Sequence, residues 1–144
     1  MNKTKTEKLW KALCACTCKG SLNKMYDTVL VDERDNVYAT NQYVIHRVEF
    51  APALLMNVHR YDMRAARSKS LDELLETSKR NCINLTSFYD PELLSLALRP
   101  HKVLGSTVML MCGRGKQPPL IIKSTTADGD RVICITTAIM GKRV

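Results

Sequence analysis

Two amphipathic helical stretches, each followed by a run of β-branched segments, constrain the fold of this 144-residue chain more than any other feature. Over residues 7–19, Leu9, Ala12, Leu13 and Cys16 keep the i, i+3, i+4, i+7 spacing of one buried stripe. Gly20 follows where a left-handed C′ residue ends a helix. Three strands are then predicted, over 27–31, 37–40 and 43–50. Glu33-Arg34-Asp35-Asn36 reads as a polar turn, and Asn41-Gln42 joins the last two strands as a hairpin. In the third strand Val44, His46 and Val48 alternate with Ile45, Arg47 and Glu49, so one face is mixed rather than cleanly apolar.

The second set opens at Asp90-Pro91-Glu92. Asp90 can cap, Pro91 suits the first helical position, and Glu92 complements the helix dipole. Leu93, Leu94, Leu96, Ala97 and Leu98 supply its buried face, and Pro100 is expected to stop it near Arg99. Strands are predicted over 107–112, 120–125 and 131–140. Gly113 to Pro119 links the first two, and Ala127-Asp128-Gly129-Asp130 turns the last hairpin. Between the two sets the pattern is weaker. Residues 53–58 read as a strand, and Arg60 to Lys69, with four basic residues, as an exposed connection. Ser70 with Glu73 forms a capping box that opens a short helix over 70–76, and Cys82 to Phe88 alternates as a strand does.

The order is therefore helix, three strands, middle segment, helix, three strands. It predicts an α+β fold, a single domain over residues 1–144, with two helices packed on one side of antiparallel sheets. The internal pseudo-repeat is one of pattern and not of sequence identity. No apolar run reaches the roughly 18 residues that cross a bilayer. The basic N-terminus runs into Lys11 and Lys19 with no secretory apolar core, so a cytoplasmic location is expected. In that compartment the six cysteines should be thiols, with Cys112 and Cys134 acting as small buried hydrophobes in apolar strands.

Residues of types that carry chemistry are scattered. Cys14-Ala15-Cys16-Thr17-Cys18 lacks a Cys-x-x-Cys pair or a nearby histidine, so small-residue helix packing is expected there and no metal. His46, His59 and His101 share no motif, although a cysteine–histidine pair can form in space rather than in sequence. Gly113-Arg114-Gly115-Lys116 is basic and glycine-rich but lacks phosphate-loop spacing and a following helix. Nothing here points to an enzyme or to a cofactor.

Charge says more. Twenty-two Lys and Arg against fourteen Asp and Glu give a net charge of +8, which suits either solubility or contact with a polyanion. Placement favours the second. Lys8, Lys11 and Lys19 fall on one side of the first helix, and Arg99 and Lys102 flank His101 at the end of the second. Helices packed side by side would join these into one cationic surface for duplex DNA, meeting phosphates without reading bases. A solvated helix face is the competing reading.

Three stretches carry a resemblance to the bacterial DNA sliding clamp, the beta subunit of DNA polymerase III. Val37-Tyr38-Ala39-Thr40-Asn41-Gln42-Tyr43-Val44-Ile45 resembles the clamp's strand–turn–strand segment, approximately Ala-Thr-Asp-Gly-His-Arg-Leu. Asp90 to Leu98 is similar to the start of a clamp domain's second helix, and Arg131 to Val144 resembles its last strand and short tail, Met-Pro-Met-Arg-Leu. Asn41-Gln42 stands where the family has Asp-Gly, Gly141-Lys142 where it has Pro-Met, and the chain has the length of one of the clamp's three domains. The resemblance implies helices that face DNA with sheets outside. It also implies a pocket for short peptides of replication or repair proteins, at positions matching Thr40, Tyr43, Met140 and Arg143. The expected function is a non-catalytic, DNA-associated clamp-like protein, as a homo-oligomeric ring or a single module. The alternative is a protein-interaction module, an accessory factor of phage or mobile-element type.

Overall fold

The computed structural model describes residues 3–22, 24–27, 29–49, 65–78, 89–115 and 118–141, with the backbone alone at 24, 25 and 65–69. Arg143, the expected strands at 53–58 and 82–88, His59 and Cys82 lie outside the described residues.

Helix α1 (Lys3–Ala15) buries Leu9, Ala12 and Leu13, and Cys16 just beyond it is also buried, as the stripe predicts. The helix starts and ends about four residues earlier than its apolar pattern suggests. Its end is set by short-range bonds rather than by Gly20. Cys16 N–H donates to the Leu13 carbonyl at 3.0 Å, and both the backbone N–H and the hydroxyl of Thr17 donate to that of Cys14. Gly20 stands in a later turn, where its N–H donates to Asp27 Oδ1 at 2.6 Å. The predicted strand 27–31 shrinks to β1 (Leu30–Val31), because Lys24–Asp27 forms the single turn α2. Strands β2 (Val37–Thr40) and β3 (Val44–Glu49) pair as the expected hairpin. Asn41 Oδ1 accepts the N–H groups of Tyr43 and Val44 to close it.

Helix α3 (Ala65–Leu74) begins upstream of Ser70, which therefore lies inside the helix and does not cap it. The alanines and long cations of 65–69 are good helix formers, and that propensity outweighs their lack of apolar bulk. Helix α4 (Pro91–Leu104) starts as predicted, with Asp90 Oδ1 accepting the Glu92 N–H at 2.9 Å. It does not stop at Pro100. The proline sits inside the helix, which ends at Gly105 in the left-handed conformation, φ 70°. Strands β4 (Met109–Cys112), β5 (Leu120–Asp128) and β6 (Arg131–Ile139) follow, with the last turn at Gly129 as expected.

The six strands among the described residues form one antiparallel sheet in the order β1-β2-β3-β6-β5-β4, rather than more than one sheet. The two halves meet where β3 pairs β6, from Val44↔Ile139 to Glu49↔Cys134. Both faces are covered. Helices α1 and α4 pack against each other and share one apolar cluster with Val37, Ala39, Val44, Val48, Ile122, Ile135 and Ile139. Leu71 and Leu75, in and just after α3, pack on the opposite face with Tyr38, Ile45, Ile121 and Ala138. This explains the mixed face of β3. Arg47 and Glu49 belong to the α3 side, where Arg47 Nη1 lies 2.8 Å from Asp72 Oδ1 and Arg47 Nε 3.2 Å from Glu49 Oε1. Tyr38 Oη reaches Asp72 Oδ1 at 2.6 Å and Asp32 Oδ2 at 3.1 Å, and burial holds its phenol well above the ordinary range. Cys112 and Cys134 are only half-buried, and among the described residues Cys16 is the cysteine in the core. No helix among the described residues is long and apolar enough to cross a membrane.

Candidate nucleic-acid interface

Continuation of α4 past Pro100 decides where its basic residues point. Arg99, Lys102 and Val103 are spaced i, i+3, i+4 and so share one side of the helix. Lys8, Lys11 and Ala12 have the same spacing on α1. Packing α1 against α4 brings the two sets face to face. They line a furrow of about 530 Å³ whose walls carry the four cations and whose floor is Ala12 and Val103. Lys8, Lys11, Arg99 and Lys102 are all exposed, and no carboxylate lines the furrow among the described residues.

Four of the five expected DNA-contacting residues thus meet in one place. Lys19 does not join them. It stands exposed in the turn after α1, which ends too early to carry it. Its charge acts instead on Cys14, whose thiol burial pushes up and Lys19 pulls partly back. Cys16 is buried, and desolvation raises its thiol to about 12, with Cys18 adding to the rise and the Asn41 backbone opposing it. At neutral pH it is a protonated core side chain, with Sγ 3.8 Å and 3.6 Å from the carbonyls of Ala39 and Val44. Cys18 is exposed.

His101 faces away from the furrow, into the sheet. Its Nδ1 lies 2.6 Å from Ser124 Oγ and its Nε2 2.7 Å from Thr137 Oγ1. Thr137 Oγ1 is also 2.7 Å from His46 Nδ1, which makes a buried chain of Ser124, His101, Thr137 and His46. Desolvation lowers His101 to about 4. Desolvation, with the neighbouring His101 adding, lowers His46 to about 3. Both imidazoles are neutral at physiological pH, and at 0% and 1% exposure neither meets solvent. Their partners are hydroxyls rather than cysteine, and their place is inside the apolar layer beneath α4. A helix ending at Pro100 leaves His101 between Arg99 and Lys102 in sequence with no face assigned to it. The signal that places it inward is the spacing of Ala97, His101 and Leu104, one buried stripe once the helix continues.

Of the residues matched to a peptide pocket, the three described ones, Thr40, Tyr43 and Met140, lie at the β2–β3 turn and the end of β6. Thr40 is buried, and its hydroxyl accepts the Gln42 N–H at 3.2 Å. Tyr43 is 55% exposed. Its carbonyl accepts the Met140 N–H at 2.9 Å, while the Met140 side chain is partly buried against the cluster beneath α3. No family model, curated protein or solved structure matches the chain.

Proposed function

We propose that this chain is a non-catalytic, DNA-associated protein that meets duplex DNA through the basic faces of α1 and α4. The observation that carries the reading is the furrow, where four cations from two helices far apart in sequence converge over an apolar floor. Cations held together on an open surface suit a line of phosphates, and their contacts carry no base information. The exposed flanks of both helices leave that surface open to a large partner.

The clamp-like part of the proposal rests on topology. A helix precedes each three-stranded meander, α1 and α4 lie side by side on one face, and β3 and β6 join the two sets symmetrically in the strand order. This supports a pseudo-repeated clamp-like unit and, with it, assembly of several copies into a ring. Light scattering tests the ring directly. A particle several times 16.3 kDa is expected, and a monomer at every concentration removes the ring while leaving DNA contact untouched.

Duplex binding is tested by fluorescence anisotropy across a salt series. Neutralising two to four phosphates should give a log K against log[salt] slope of about −2 to −4. No binding at about 50 mM salt would reject the reading. The second reading, a protein-interaction module, draws on one observation. At the sheet edge, β4 leaves Met109 62% and Leu110 47% exposed, an apolar patch of the kind that partners cover.

A further inference from the structure

The shape of the furrow restricts what part of a nucleic acid can enter it. Helices in contact stand with axes about 8–10 Å apart, and a helix with side chains is about 10–12 Å across. The major groove of B-DNA, about 12 Å wide, admits one such helix and not a packed pair. The pair therefore cannot read a groove from inside, and its concave side can receive only a convex ridge. On nucleic acid that ridge is a single sugar–phosphate backbone.

The lining fits this geometry. Lys8 and Lys11 on one wall, and Arg99 and Lys102 on the other, are each separated by three residues, a rise of about 4.5 Å. Side chains three residues apart on a helix stand about 5–6 Å apart at Cβ, so the two long cations of each wall can reach neighbouring phosphates of one strand. Ala12 and Val103 offer the sugar an aliphatic floor. No aromatic side chain lines the furrow among the described residues, so it has no platform on which a base could stack. Trp10 and Tyr89 are instead packed against the core cluster beneath the helices.

We infer that the furrow between α1 and α4 seats the sugar–phosphate backbone of one strand, so that a single strand and a duplex are bound alike. The inference rests on the nucleic-acid reading above and narrows it. It makes the protein indifferent to base sequence and to base pairing, because the occupant is the same ridge in both cases. It also predicts that the contacts are almost wholly electrostatic and fall steeply with salt.

The full chain is titrated against a labelled oligothymidylate, an oligoadenylate and a mixed-sequence duplex, each of about twelve nucleotides or base pairs, at about 50 mM salt. The expected result is dissociation constants within about threefold of one another. The double variant Lys11→Glu/Arg99→Glu, one cation from each wall, should weaken all three by at least about tenfold. Arg34→Glu/Arg131→Glu makes the same charge change at two exposed positions, one in a turn and one at the start of β6, and should leave all three within about threefold. Circular dichroism of both variants checks that the fold is intact. Duplex bound about tenfold or more tightly than either single strand overturns the one-strand inference and leaves DNA contact standing. A strong preference between the two homopolymers overturns it as well, since bases would then be contacted. Binding that survives the furrow variant overturns it by placing the site elsewhere. No binding of any of the three rejects both readings together.

Discussion

Thr137 holds two histidines with one hydroxyl, and counting protons shows how. A hydroxyl donates once and accepts twice, and a neutral imidazole donates from one nitrogen and accepts at the other. If His101 Nδ1–H donates to Ser124, His101 Nε2 accepts from Thr137, and Thr137 then accepts from His46 Nδ1–H. This assignment leaves His46 Nε2 as a bare lone pair, one of the buried side-chain atoms without a hydrogen-bond partner among the described residues. The reverse assignment would bury an unpaired N–H at the same place, a costlier outcome. Protonating His46 buries a charge beside His101, and desolvation of that charge is what depresses its pKa; the same step would also create the orphan N–H. Two outcomes are expected. Thr137→Val keeps the shape but strips both imidazoles of a partner, and should lower unfolding free energy by about 2–4 kcal/mol in urea titrations. The second concerns pH. Both folded values, about 4 and about 3, lie below the unfolded value of about 6.5, so the unfolded chain binds more protons in between. The stabilisation is complete above about pH 6.5 and drains away as pH falls through the folded values. Between about pH 6 and 5, where carboxylates contribute little, stability should fall by about 2 kcal/mol. A flat urea midpoint across that interval would remove the neutral buried pair.

At the scale of elements, α4 shows which signals in a sequence are local and which are not. Its start was legible because capping is chemistry between neighbours, here an aspartate side chain and an N–H two residues on. Its end was misread because the cost of an interior proline is also local, while what offsets it is not. Pro100, His101 and Leu104 are buried against a sheet built from residues on both sides in sequence, and that packing carries the helix one further turn. The same turn puts Lys102 on the same side of the helix as Arg99 and brings Val103 to the furrow, so an error of five residues in a helix end hid part of the floor but not the cations, which were legible in the sequence. The start of α3 and the loss of most of β1 have the opposite cause, since helical propensity at 65–69 and a single turn at 24–27 overrode weaker strand or loop patterns. Two substitutions test this account. Asp90→Ala should cost about 1 kcal/mol. Pro100→Ala should restore the missing N–H to the helix and raise stability by about 1–2 kcal/mol, the proline penalty of about 3 kcal/mol less the packing lost with the ring. Thermal denaturation reads both. A less stable Pro100→Ala protein would mean that the ring packs better than the helix suffers.

For the whole molecule, the question is whether its net charge or the location of four charges governs contact with a polyanion. The value of +8 could be read from composition, and the sequence pattern could assign cations to two helices. It could bring them together only on the supposition that the helices pack side by side, because α1 and α4 meet through a core that spans much of the chain. Lys19 illustrates the difference. It counts fully toward the net charge yet stands in a turn outside the furrow. At physiological salt the screening length is about 8 Å, so cations elsewhere on the surface add little to the potential in the furrow. Four cations crowded there repel one another, by a few tenths of a kcal/mol per pair in water, and phosphates relieve that repulsion on binding. Two alanine sets separate the effects. Lys8, Lys11, Arg99 and Lys102 form one, and the exposed Lys3, Lys19, Arg34 and Arg131 the other, and each takes the net charge from +8 to +4. If the overall field decides, both sets weaken oligonucleotide binding equally. The furrow predicts otherwise. The first set should lose at least about tenfold in affinity and flatten the salt slope by about two to four, without loss of thermal stability. The second should lose no more than about threefold at physiological salt and keep its slope, because its contribution is limited to long-range steering.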